Sequence, residues 1–263
     1  MGNLTKRIIT ATVLLLAVIL IVLQENVPLT LSLIALVLFL GFFEVIKMLN
    51  LTNKTQCVFM FFVLVVAPIA FAVTERSMGL FVVVSLIFIL TTSFFANFKD
   101  LEQVQRRTFL YLLCFILLGL GGYSLANMAC KENSSKVLFW LLAVISVNDI
   151  CAYACGKAIG GARFNRVISP NKTVSGAICG IAGAVLASYL MVYFLDITNL
   201  KSGVFWPTLF IAWCAQIGDL IESLIKRILG VKDSSNMLPG HGGILDRVDA
   251  ILGAAPLTLI CFF

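Results

Sequence analysis

Nine stretches of this chain are too long and too apolar to be ordinary surface helices of a water-soluble domain. They fall at about residues 8–23, 29–49, 57–73, 80–96, 108–129, 137–158, 176–195, 205–225 and 244–263. A helix needs roughly 20 residues to cross the hydrocarbon core of a bilayer. Backbone in lipid must also satisfy its hydrogen bonds within the segment. The expected fold class is therefore all-α, a polytopic integral membrane protein of about nine transmembrane helices. Composition decides one point: only 12% of the residues are charged, against about 25% in soluble domains. The first run follows Lys6-Arg7 like a signal peptide. It has no small-x-small cleavage site before Gln24-Glu25-Asn26, and more runs follow, so it reads as a retained helix.

The basic residues set the orientation. With the N-terminus in the cytoplasm, nine spans place fifteen Lys and Arg in inside segments and four (Arg76, Lys131, Lys136, Lys201) outside. Positive charge concentrates on the cytoplasmic side of membrane proteins, so the bias supports both the span count and the cytoplasmic N-terminus. The eight cysteines lie mostly in apolar stretches. Cys151 and Cys155 share a helix face, but no His or further Cys stands at zinc spacing, so they read as packing residues. A formal net charge of +6 suits anionic lipid or phosphate ligands, and nothing in the pattern calls for nucleic acid.

Charge is unevenly spent. The stretch Gln216–Ala250 holds five of the thirteen acidic residues and the single histidine, His241. Asp219, Glu222, Ser223 and Lys226 recur at i, i+3, i+4 and i+7, one stripe of a helix, and Asp246 and Asp249 stand one turn apart at the start of the next. Asp149 lies in the inward half of the sixth span, so the orientation brings these carboxylates to the same, cytoplasmic depth. Intramembrane ionisable groups that converge mark a site. Carboxylate oxygens suit a hard divalent cation. Gly242-Gly243 ahead of the last helix lets backbone N–H groups approach a phosphate, and Lys226, Arg227, Lys232 and Arg247 supply countercharge. The inventory is that of phosphoryl or nucleotidyl transfer. A second polar segment, Asn148–Gly176, is rich in Gly and carries Ser169-Pro170-Asn171-Lys172-Thr173. It reads as a flexible, basic loop. Gly176, Gly180 and Gly183 put small residues on one side of the seventh span, favouring close helix packing. Glu44, alone in the early spans, reads as part of the scaffold.

At these residues the chain resembles a known family. Ser223-x-Ile225-Lys226-Arg227, then four residues, then Lys232-Asp233-x-Ser235-x-x-Leu238-Pro239-x-His241-Gly242-Gly243-Ile244-x-Asp246-Arg247-Val248-Asp249 is similar to the signature of the phosphatidate cytidylyltransferases. Asp149-x-x-Ala152-Tyr153 and the Ser-Pro-x-Lys-Thr string resemble the same family. The resemblance implies an N-terminal region of spans one to five (residues 1–136) and a catalytic region of spans six to nine (137–263) with its signature at 223–249. It implies transfer of CMP from CTP to phosphatidic acid, giving CDP-diacylglycerol and pyrophosphate in phospholipid biosynthesis.

The same resemblance implies Mg²⁺ and is compatible with a homodimer; more carboxylates cluster than one octahedral Mg²⁺ uses, which leaves room for a second, monovalent cation. Asp219, Asp246, Asp249 and Asp149 are the expected metal ligands. Asp219, Ser223, Lys226, Asp246 and Asp249 are the expected catalytic set. Lys172, Arg227, Lys232, Asp233, His241, Gly242, Gly243 and Arg247 are the expected substrate contacts. The expected location is the inner membrane of a bacterium, the site facing the cytoplasm. From the residues alone, a transporter, a CTP-dependent lipid-alcohol kinase and a non-catalytic scaffold remain alternatives.

Overall fold

The computed structural model describes residues 18–22, 24–94, 100–195, 203–235, 237 and 242–263. Helix α1 spans Val27–Leu49; Asn26 Oδ1 accepts the Leu29 N–H at 3.1 Å, and Asn50, left-handed at φ 50°, stops it. Asn53 caps α2 (Lys54–Val73), which widens to a π-helical turn at Phe62–Val66. Helix α3 covers Met78–Phe94. Helix α4 runs from Leu101 to Ala129, with a second π segment at Phe115–Leu120. Helix α5 is Ser134–Ile159, α6 Val174–Leu195, α7 Phe205–Ile228 and α8 Leu245–Phe262.

These helices fall on the eight apolar runs after the first. The largest difference is at α4, expected from residue 108 but starting at Leu101. Asp100 caps it by accepting the Gln103 N–H at 2.8 Å, and Glu102 to Arg107 continue the helix beyond the apolar stretch. The first run lies outside the described residues except for its last turn, Val18–Val22, which is helical. Among the described residues six helices are long and apolar enough to cross a membrane: α1, α2, α4, α5, α6 and α7. The apolar part of α3, Met78–Ser93, is shorter, and α8 carries Asp246, Arg247 and Asp249 in its 18 residues.

The expected flexible loop after span six is a folded ribbon. Strands β1 (Arg163–Asn165) and β2 (Ser169–Thr173) pair antiparallel, Arg163 opposite Thr173 and Asn165 opposite Ser169. Asn165 Oδ1 accepts the Val167 and Ile168 N–H groups (2.9 and 3.1 Å) and so makes the turn. Thr173 Oγ1 accepts the Gly176 N–H at 3.1 Å and caps α6. Pro170 is tolerated because a two-stranded ribbon has only edge strands.

Helix α4 is the post of the bundle, with 72% of its apolar window buried, whereas α6 is peripheral at 22%. The glycine stripe does what the sequence predicts. A Cβ on Gly176 or Gly180 would meet the Ala152 or Asn148 carbonyl at 2.6 or 2.8 Å, so α6 lies directly on α5. A closer approach, not anticipated, joins α7 to α8. A Cβ on Gly218 would stand 2.5 Å from the Asp249 carbonyl, and one on Gly253 2.6 Å from Gly218 Cα. Away from the polar end, Trp140 Nε1–H donates to Ser188 Oγ (3.0 Å), which shares a 2.8 Å hydrogen bond with Thr208 Oγ1. All three are fully buried and tie α5, α6 and α7 together.

Candidate active site

The α7–α8 crossing puts Asp219 and Glu222 beside Asp249. Helical spacing alone aligns the first two on one stripe; the bare glycines at the crossing bring the facing helix close enough to add the third. One oxygen of each lies within 4.8 Å of the others. Glu222 is 1% exposed, and its Oε1 is buried with no hydrogen-bond partner. Such an oxygen is costly in a protein interior. A carboxylate-lined point with an unsatisfied buried oxygen fits a hard cation, whose positive charge would complete it.

The three acids stand at one side of a cleft of about 590 Å³ between α5, the ribbon, α6, α7 and α8. Asp149, Tyr153 and Lys157 come from α5, Phe164 and Lys172 from the ribbon, and Lys226, Asp246 and Arg247 from α7 and α8. The lining thus carries five carboxylates and four cations, a balance that cannot by itself accept a polyphosphate. Lys172 ion-pairs with Asp219 across the cleft. Gln216 Nε2 donates to Asn148 Oδ1 (3.0 Å) and to the Ala177 carbonyl (3.1 Å), and Asn148 donates to Asp149 Oδ1 (3.1 Å). These amides hold α5, α6 and α7 in register at the depth of the acids.

Asp246 and Asp149 lie outside the group of three. Asp149 stands on the α5 wall. Asp246 is engaged by the protein: Oδ1 accepts from Lys226 Nζ at 2.5 Å, and Oδ2 accepts the Ser234 and Gly243 N–H groups at 3.1 and 2.8 Å. Ser234 Oγ sits 2.9 Å from both Asp246 Oδ2 and Glu44 Oε2, so its single proton lies between two carboxylates. Lys226 also pairs with Glu222. Ser223 Oγ lies 3.5 Å from Asp219 Oδ1.

The remaining expected contacts divide. Arg247 lines the cleft. Arg227 faces the ribbon, its Nε–H donating to the Ile168 carbonyl at 3.2 Å. Lys232 and Asp233 are exposed on the turn after α7 and do not line the cleft. His241 lies outside the described residues. The N–H groups at the start of α8, expected to face a phosphate, have protein acceptors: Gly243 donates to Asp246, and Ile244 and Leu245 donate to Glu44 (2.8 and 2.9 Å).

Glu44, read from the sequence as part of the scaffold, contacts the turn before α8. It is 1% exposed in α1, about 190 residues ahead of its partners, a separation no local pattern reveals. The available signal was its presence as an acid inside an apolar span.

A bundle of apolar helices with a cleft lined by carboxylates and lysines is that of a polytopic membrane protein. Residues 5–263 match the cytidylyltransferase family, and the chain belongs to it. It is 41% identical over 156 residues to a protein of Helicobacter pylori strain J99 named phosphatidate cytidylyltransferase, covering 58% of this chain and 56% of that protein. Proteins of the same name from Brucella suis (42% over 144 residues, 53% of each chain) and Staphylococcus aureus strain COL (38% over 149 residues, 56% of this chain and 57% of that one) are similar. The chain spans little more than half the length of each of these relatives.

Proposed function

We propose that this chain is a phosphatidate cytidylyltransferase, transferring CMP from CTP to phosphatidic acid with release of pyrophosphate. The observation that carries the reading is the cleft itself: Asp219, Glu222 and Asp249 converge on one point beside Lys172 and Lys226. Membership of the cytidylyltransferase family supports the choice of nucleotide, and the names of its relatives support the choice of lipid.

Asp219, Glu222 and Asp249 would hold Mg²⁺, with Asp246 and Asp149 beside them and a second, monovalent cation in the same carboxylate group. Bound there, the metal supplies positive charge to triphosphate oxygens. The protein's own residues do the rest. Lys172 and Arg247 face the cleft as phosphate partners, and Lys226, oriented by Asp246, directs a third cation into it. The attacking group is a phosphate oxygen of the lipid, already anionic, so no strong general base is needed. Its bond to the α-phosphorus of CTP forms as the bond to the β-phosphate bridging oxygen breaks, and pyrophosphate carries away the electron pair. Catalysis is then positioning and charge neutralisation.

The topology belongs to the same proposal: nine spans, with the N-terminus and cleft facing the cytoplasm of a bacterial inner membrane. Supporting it, the C-terminal ends of α1 and α7 and the N-terminal end of α4 meet at the cleft end, where Arg106 and Arg107 donate to the Ile228 and Leu49 carbonyls.

The test uses purified protein in detergent with phosphatidic acid, Mg²⁺ and CTP labelled at the α-phosphorus. Label enters the lipid with release of pyrophosphate, and EDTA abolishes it. Intact CTP and unlabelled lipid would sink the reading. Transfer of the γ-phosphoryl group instead would make the chain a lipid-alcohol kinase. Asp246→Asn is expected to lose more than about tenfold in kcat.

A further inference from the structure

Glu44 does not line the cleft, and neither do the described residues of the turn between α7 and α8, yet its carboxylate reaches that turn, which holds the cleft-lining Asp246. Oε1 accepts from Ser235 Oγ at 2.6 Å and from the Ile244 N–H at 2.8 Å; Oε2 accepts the Leu245 N–H at 2.9 Å and lies 2.9 Å from Ser234 Oγ. We infer that Glu44 is a positioning residue: it clamps the turn between α7 and α8 so that Asp246 and Lys226 stand correctly in the cleft. It has this role only if the cleft performs the chemistry proposed above.

Burying a carboxylate is expensive unless its lone pairs are filled. Here four donors surround two oxygens. Two are successive backbone N–H groups at the N-terminus of α8, the positive end of the helix dipole. The fit is close on the other side as well: a Cβ on Gly243 would stand 2.5 Å from each Glu44 oxygen. The clamped turn is also the one that supplies the Ser234 and Gly243 N–H groups to Asp246, whose second oxygen holds Lys226. Two side chains thus separate Glu44 from Lys226. Glu44 itself is fixed, because Arg107 Nη1 donates to the Leu49 carbonyl at 2.5 Å and anchors the end of α1 to α4.

A simple cap of α8 would use the same contacts, so the test has two readouts on the full chain in detergent. Glu44→Gln keeps the shape and turns one acceptor into a donor facing other donors. Without substrate, amide exchange across residues 231–248 is expected to quicken at least about tenfold, with 134–147 unchanged. With substrate, kcat is expected to fall between about tenfold and a hundredfold, while KM for phosphatidic acid stays within about threefold.

Unchanged exchange overturns the clamp whatever the activity. Faster exchange with unchanged kcat makes Glu44 a cap and overturns the positioning role. A wild-type protein without CMP transfer removes the cytidylyltransferase reading and the positioning role together, while exchange still decides whether the clamp exists. If Glu44→Gln does not fold, Ser235→Ala removes one donor and leaves the carboxylate; both readouts then shift by about threefold. Thr30→Val, buried on α1 away from the turn, is the control and moves neither.

Discussion

Glu222 divides its carboxylate between two tasks. One oxygen pairs with Lys226, and the other is buried without a partner beside Asp219 and Asp249. Removing a member of such a group has opposite signatures depending on which side is cut. Lys226→Met leaves Glu222 and Asp246 without their shared cation, in side chains 1% and 11% exposed. The expected loss is about 3 kcal/mol of stability, read as a lower melting temperature in detergent. Glu222→Gln relieves negative charge and is expected to melt no lower, but to raise the Mg²⁺ concentration for half-maximal CMP transfer by roughly tenfold or more. If both variants behave alike, the acids serve only as a structural ion cluster. The spacing in the sequence places Glu222 on the right stripe. It cannot say which of the five cleft carboxylates face one another and which the protein itself occupies, because that depends on how α7 meets α8 and where a turn donates its N–H groups. Asp246 shows this: one residue type and one helix position, but its partners are Ser234, Gly243 and Lys226.

Helix identity was legible because apolar length is a strong signal. Helix ends were less so, since α4 continues through polar residues once Asp100 caps it. The ribbon was hidden for a similar reason: Gly and Pro announce a break in the helix, and only Asn165's side-chain bonds show what forms there. The glycine stripe of α6 could be read from its spacing, whereas Gly218 and Gly253 stand alone in separate helices. Their effect is measurable. Gly218→Ala forces a Cβ to 2.5 Å from the Asp249 carbonyl and 2.9 Å from Gly253 Cα, both backbone. Part of the bundle must move apart, at an expected cost of about 1–3 kcal/mol and with loss of CMP transfer. Gly79→Ala in α3, with nothing within 4 Å, is expected to leave melting and activity unchanged. Equal behaviour of the two variants would mean that the crossing does not set the geometry of the cleft.

At the scale of the molecule, contacts run between the N-terminal spans (1–136) and the C-terminal ones (137–263). Helix α1 reaches the turn before α8 through Glu44, and α4 holds the ends of α1 and α7 through Arg107 and Arg106. Residues 137–263 expressed alone are therefore expected to show no CMP transfer, and activity is expected to return in membranes that also contain residues 1–136. Full activity of the C-terminal piece would refute this dependence. The buried Trp140–Ser188–Thr208 link has a mechanical consequence. It fastens α7 to α5 and α6 at one height, and Gln216 fastens α7 at another; Asp219 lies eleven residues beyond Thr208 along the same helix, about 16 Å away. Without the Gln216 tie, α7 would be a lever with its fulcrum at Thr208. A tilt of about 5° there would carry Asp219 through about 1.4 Å, more than the roughly 1 Å that costs an active site most of its rate.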